Sequence, residues 1–301
     1  MVHYYKLEDN EIDFSQAVSC HSADATIAYK KVSGEPVYLG YYLPADFDKE
    51  NKYPLFVFVH GGGWSSHKIF DDQTHWQGDY LGYLARYYAG KSFVCVSVDY
   101  RLTREGGQAA GYEVIDCYED CCDAMDYVLA HRVEYGIDME NIYLLGESAG
   151  GHLAGALATF HYDRQYPFKK AFLVNPITHL FDKWNMGVPV KSSHPRLADL
   201  SLQECAEFLS PLYQISESTC DTVLIHGQSD GVVDPEHSRS FYDRMTELSK
   251  GCELHLIENT GHAFLLAEYT EQLAACKIGI GIINGVLGAA RPWEPDCGQT
   301  K

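Results

Sequence analysis

Apolar residues fall in short runs, and the stretches between them carry either turn residues or apolar positions at helical spacing. Ala25 to Lys31 and Pro36 to Leu43 read as two strands joined at Ser33-Gly34-Glu35, a turn that suits an antiparallel hairpin. A polar connection with Asp46, Asp48, Lys49, Glu50, Asn51 and Lys52 follows. It leads into Pro54-Leu55-Phe56-Val57-Phe58-Val59, uncharged as a strand buried on both faces must be. Strands are predicted at 54–60, 92–99, 141–146, 170–175, 222–227 and 253–258. Between them Tyr112 to Tyr135 and Pro235 to Lys250 show the apolar spacing of helices, and the small residues Gly151 to Ala158 continue a helix after the strand at 141–146. Ile278 to Ala290, 13 residues, is too short to span a bilayer and reads as a buried terminal helix. Strand and helix alternate throughout, which predicts an α/β protein. The expected architecture is a mostly parallel sheet of about eight strands, helices on both faces and functional groups at the C-terminal strand ends, in one domain over residues 1–301. One interval, 177–216, breaks the alternation. It holds Trp184, Met186, Pro189, His194 and Pro195 without a clean period, although Ser201 to Leu209 is helical in pattern.

Composition narrows the function. With 46% apolar residues the 301-residue chain can bury a sizeable core, and 13% aromatics, 22 of them tyrosines, can line a pocket as well. Net charge is 23 minus 42, or −19, which argues against nucleic acid, anionic membranes and polyanionic substrates as partners. Ten cysteines include the adjacent pair Cys121 and Cys122 and no Cys-x-x-Cys spacing, a pattern of reduced thiols rather than of a disulfide framework or a metal site. The start, Met1-Val2-His3-Tyr4-Tyr5-Lys6, lacks the basic and apolar regions of a signal peptide, so a cytoplasmic protein without membrane insertion is expected. Nothing in the pattern speaks to oligomeric state.

Two glycine-rich segments carry the chemistry. Gly146-Glu147-Ser148-Ala149-Gly150 lies between the strand ending Ile142-Tyr143-Leu144-Leu145 and the small-residue helix. A serine on such a turn is forced towards positive φ and exposed as a nucleophile, with flanking glycines relieving the crowding. Upstream, His60-Gly61-Gly62-Gly63-Trp64 ends the strand at 54–60, and successive glycines there let backbone amides converge into an oxyanion hole.

On these residues the chain resembles the α/β-hydrolases, and most closely their small esterase branch, similar to the hormone-sensitive-lipase-like and feruloyl- or acetyl-esterase groups. Asp99-Tyr100-Arg101-Leu102 also looks like that branch, and the resemblance covers about residues 25–290. Glu147 departs from it: the lipase-like group more often has aspartate there, and glutamate looks like the carboxylesterases. The resemblance implies an α/β-hydrolase fold, a small lid insertion over 177–216, and a catalytic acid and base after the serine, in that order. Asp230 follows the strand at 222–227 and His262 the strand at 253–258, so Ser148, Asp230 and His262 are the expected triad. Asp234 competes for the acid role but precedes Pro235 and is expected to cap the next helix. Thirteen other histidines compete with His262; His226 is expected to be structural and His60 to brace its glycine loop. The oxyanion donors would be the amides of Gly62, Gly63 and Ala149, with Trp64, Phe70, His75, Trp76 and Trp184 as candidate pocket residues. The implied activity is serine carboxylic ester hydrolysis of short acyl groups, such as acetyl or aryl-acyl esters of sugars, through an acyl-enzyme, with a small-molecule ester as partner and no metal or cofactor. A small-amide (formamidase-like) hydrolase or a peptidase would share the machinery, and a non-catalytic binding protein would share the fold.

Overall fold

The computed structural model describes residues 1–7, 22–65, 81–105, 108–160, 164–180, 194–265 and 272–288. Its elements in chain order are β1 (Val2–Tyr5), β2 (Ala25–Val32), β3 (Glu35–Tyr42), β4 (Tyr53–Val59), α1 (Gly82–Ala89), β5 (Val94–Val98), β6 (Arg104–Glu105), β7 (Gln108–Ala109) and α2 (Val114–Ala130). They continue with β8 (Ile137–Glu147), α3 (Ala149–Thr159), β9 (Phe168–Val174), α4 (Leu202–Leu209), β10 (Asp221–Gly227), α5 (Glu236–Glu247), β11 (Cys252–Ile257) and α6 (Leu273–Leu287).

Nine strands form the main sheet in the order β1-β11-β10-β9-β8-β4-β5-β3-β2, while β6 and β7 pair separately. The pairs of β3 with β2 and with β5 are antiparallel and the other pairs of the main sheet parallel. This is the expected mostly parallel sheet with one addition, β1, whose four residues lie on the far edge beside β11. The β2–β3 turn has Ser33 at φ 51° and Gly34 at φ 94°, the two positive values of a hairpin twist that matches its strands.

Helices cover both faces. The apolar stripe of α2, with Val114, Cys117, Cys121, Met125 and Val128, packs with α3 and with Phe241 and Met245 of α5 on one face. Leu84 and Tyr88 of α1 pack with Ile280 and Ile283 of α6 on the other. α2 starts where Glu113 and Asp116 close a reciprocal capping box, and it ends at Ala130, short of the expected Tyr135. α3 is buried at every one of its 11 positions, which explains its small side chains: it runs sandwiched between the sheet and the Pro211–Gln214 turn.

Of the interval 177–216, residues 181–193 lie outside the described residues. The described part is tied to the body. Within it Leu212 N donates to Thr178 O (2.9 Å) and Leu180 N to Ser210 Oγ (2.8 Å), while Thr178 Oγ1 donates to His237 O of α5 (2.8 Å) and His152 Nε2 of α3 stands 2.7 Å from Leu209 O.

Candidate active site

The sheet brings together loops far apart in sequence. Val59 of β4 is in register with Gly146 of β8, so the glycine loop and the serine turn leave the sheet side by side. Two strands away, Gly227 of β10 is in register with Ile257 of β11, which sets the loops bearing Asp230 and His262 next to each other.

Ser148 sits between β8 and α3 with φ 58° and ψ −122°, a conformation L-residues avoid unless their surroundings enforce it. Its amide donates to Val174 O of β9 (2.9 Å), and His152 N closes the first turn of α3 onto Ser148 O (3.0 Å). A Cβ at Gly150 would collide with the carbonyls of Val59 and His60, and one at Gly146 with Gly150 itself. These two glycines permit the close approach of helix, serine turn and neighbouring strand.

Ser148 Oγ lies 2.8 Å from His262 Nε2, and His262 Nδ1 lies 2.7 Å from Asp230 Oδ2. The other carboxylate oxygen, Asp230 Oδ1, accepts the amides of Val232 and Val233, both at 2.9 Å. Burial alone would raise the carboxyl's pKa; hydrogen bonds from His226, His262 and the Val233 amide outweigh it and hold the group well below the usual carboxylate range. The loops bearing Asp230 and His262 are stitched by backbone bonds, Gln228 N to Ile257 O and Ser229 N to Thr260 O, both 2.9 Å. A Cβ on Gly227 would strike Thr260 O, so glycine is required there. The sharp turn around the histidine falls at Asn259 (φ 53°) and Ala263 (φ 57°) rather than at Gly261, which has open space around it.

Asp234 does what its place before Pro235 suggests: Oδ1 accepts the Glu236 amide at 2.8 Å, at the start of α5. His226 is buried behind Asp230, its Nδ1 2.7 Å from Ser238 Oγ and its Nε2 3.0 Å from Val233 O and 3.4 Å from Asp230 Oδ2. His60 stacks face to face on Tyr100 at 4.2 Å, with Nδ1 2.8 Å from Gly61 O. The Tyr100 hydroxyl donates to His60 O (2.8 Å) and Gly61 O (3.2 Å). Arg101, next to it, is clamped by both oxygens of buried Asp120 at 2.8 Å. The Asp99 to Leu102 segment thus braces the glycine loop, in which Gly62 and Gly63 take φ 95° and 62°. Trp64 is 1% exposed and packs edge-on against His152 at 5.1 Å. Phe70, His75, Trp76 and Trp184 lie outside the described residues.

One contact gives Glu147 a place of its own. Buried at the end of β8, it accepts the Leu265 amide on Oε1 at 3.3 Å, three residues beyond His262, and burial pushes its pKa up to about 7. Tyr83 of α1 donates to Leu265 O, so the segment after His262 is held from two elements. No sequence signal marks these partners, since 118 positions separate Glu147 from Leu265.

The cysteines among the described residues are free thiols, six of the eight buried, and no helix among those residues is long and apolar enough to cross a membrane.

A family model described as BD-FAE matches residues 39–245. A putative alpha/beta hydrolase of Acanthamoeba polyphaga mimivirus is 26% identical over 74% of this chain and 73% of that protein. The probable carboxylic ester hydrolase LipM of Mycobacterium tuberculosis is 26% identical over 81% of this chain; the match spans 57% of that longer relative. Among solved structures, a thermophilic esterase of the Planctomycetes species Thermogutta terrifontis with propionate bound matches with a TM-score of 0.71 at 26% identity, over 92% of this chain and 97% of that one. The same esterase with butyrate bound gives the same figures.

Proposed function

The chain belongs to the BD-FAE family and is a hydrolase acting on esters, and we propose that it cleaves short-chain acyl esters with a Ser148-His262-Asp230 triad through an acyl-enzyme. The observation that carries this reading is the unbroken chain of hydrogen bonds, 2.7 Å from Asp230 to His262 and 2.8 Å from His262 to Ser148. An ionised Asp230 accepts from Nδ1–H, which leaves Nε2 bare to take the serine proton. The Ser148 oxygen then attacks the ester carbonyl, and the imidazolium returns its proton to the leaving alcohol. Water, deprotonated by the same imidazole, releases the acid.

We assign the oxyanion to the amides of Gly62, Gly63 and Ala149. Support comes from the positive φ of both glycines and from the place of Ala149 as first residue of α3, where helical amides have no partner within their helix. Removing one such donor costs about 3 kcal/mol in the barrier.

Short acyl chains are favoured by the small interval 177–216 and by the propionate and butyrate held in the Thermogutta esterase. The proposed substrates are acetyl or aryl-acyl esters, with sugars as alcohol, and a cytoplasmic setting fits the buried, reduced thiols. A fluorophosphonate probe is expected to label Ser148 in the folded protein and to leave Ser148→Ala unmodified. Nitrophenyl acetate and butyrate should be hydrolysed far faster than the palmitate. Absence of an adduct sinks the triad; faster cleavage of palmitate sinks the short-chain reading, and preference for formyl amides moves the substrate to the amide class.

A further inference from the structure

Outside the triad, at the sheet edge made by the added strand, three donors from two strands converge. His3 of β1 is in register with His255 of β11, and Glu253 lies two residues earlier on the same face. One ligand atom from each of His3, Glu253 and His255 falls within 4.8 Å of the others. His255 is buried, and His3 and Glu253 are half-buried.

We propose that His3, Glu253 and His255 form a binding site for a divalent transition ion of the zinc type, which pins the terminal strand to β11. Two imidazoles and one carboxylate are a donor set zinc accepts, with water completing four-coordination. In a tetrahedral site with bonds of about 2.0–2.1 Å, neighbouring ligand atoms stand about 3.3 Å apart. His255 Nε2 and Glu253 Oε2 are already 3.2 Å apart. The far nitrogen of the same ring, Nδ1, is 2.9 Å from the Tyr5 hydroxyl. With the proton on Nδ1 and donated to Tyr5, the Nε2 lone pair faces the carboxylate, and a cation between them satisfies both. The second carboxylate oxygen of Glu253 is oriented by Lys170, 4.0 Å away.

His3 completes the set. Its ring lies parallel to His255 with centroids 4.6 Å apart, so ligation requires it to turn out of that stack, which its place on the edge strand allows. The positions themselves do not move, because the parallel ladder from Val2↔Leu254 to Tyr5↔Ile257 fixes both strands. An ion here links residues 252 positions apart (255 minus 3), on the strand that leads directly into the His262 loop. Any ligand bound only by the folded chain stabilises it by mass action.

The test is calorimetric titration of metal-free protein with zinc chloride alone, paired with thermal unfolding. Saturable binding of about one equivalent is expected, with a rise in Tm of about 4 °C or more once zinc is in hundredfold excess over its Kd. His3→Ala, on the edge strand, and Glu253→Gln, which keeps the shape and removes the charge, should each weaken binding at least about tenfold. Cobalt(II) in place of zinc should show visible bands of a nitrogen–oxygen site without a thiolate charge-transfer band. Absence of zinc binding, equal binding by wild type and His3→Ala, or a thiolate band from cobalt would each overturn the site.

Discussion

At Ser148 a positive φ of 58° costs a non-glycine residue roughly 1–3 kcal/mol, and the Val174 hydrogen bond and the tight packing of Gly146 and Gly150 hold it there. The proposed acid role of Asp230 makes a sharp prediction. In Asp230→Asn the side-chain oxygen still accepts the Val232 and Val233 amides, which turns the NH2 towards His262 Nδ1 and forces the proton onto Nε2. kcat for nitrophenyl acetate should fall by about 10⁴ with circular dichroism unchanged. Asp234→Asn, which only replaces the acceptor for Glu236 N, should keep most of its activity, and a reversal of these two results would move the acid to Asp234. Ser148, Asp230 and His262 were legible because each sits in a short turn motif directly after an apolar run. The supports were not: His226 is told from any core histidine only by its 3.4 Å approach to Asp230, and Glu147 only by an amide on another loop.

At the scale of elements, apolar spacing located eight strands and the helices α2 to α6 to within about five residues, left α1 unread, and tertiary contacts trimmed the ends. α2 stops at Ala130, and the chain then turns through Gly136, at φ 57°, where a Cβ would strike the Asn51 carbonyl. β1 was missed for a physical reason: four residues of alternating exposure have no signature of their own, and only β11, some 250 positions away, makes them a strand. Helix α4, in the interval that breaks the alternation, depends on a local device. Ser201 Oγ accepts Glu204 N at 3.2 Å, while Glu204 Oε2 accepts Ser201 N at 2.8 Å. Ser201→Ala should cost about 1 kcal/mol, read as a lower midpoint in urea with an unchanged m-value. A loss indistinguishable from zero would mean that burial of Cys205 and Leu209 alone holds the helix.

For the whole molecule, buried histidines and a buried carboxyl set opposite pH dependences. Burial pulls His152 down to about 4, and burial with neighbouring His179 pulls His237 down to about 3. The unfolded chain therefore takes up their protons first as pH falls below about 6.5, and stability is lost from there towards pH 4, by about 3 kcal/mol for His152. Glu147 acts in the other direction: it stays protonated in the fold up to about 7 while the unfolded group ionises above about 4.5, so its contribution falls as pH rises between those values. Urea unfolding of Glu147→Gln at pH 5, 6 and 7 should show stability climbing more steeply with pH than in wild type, by about 1.4 kcal/mol per unit. Parallel slopes would place the ionised form of Glu147 in the fold. The α/β order, the serine turn, the glycine loop and the positions of Asp230 and His262 after their strands were legible in the sequence alone, because periodicity and turn chemistry are local. Which loops meet, which carboxyl the imidazole engages, what braces them, and that His3 lies beside His255 were decided by strand order and register, which couple residues hundreds of positions apart and leave no mark on either neighbourhood.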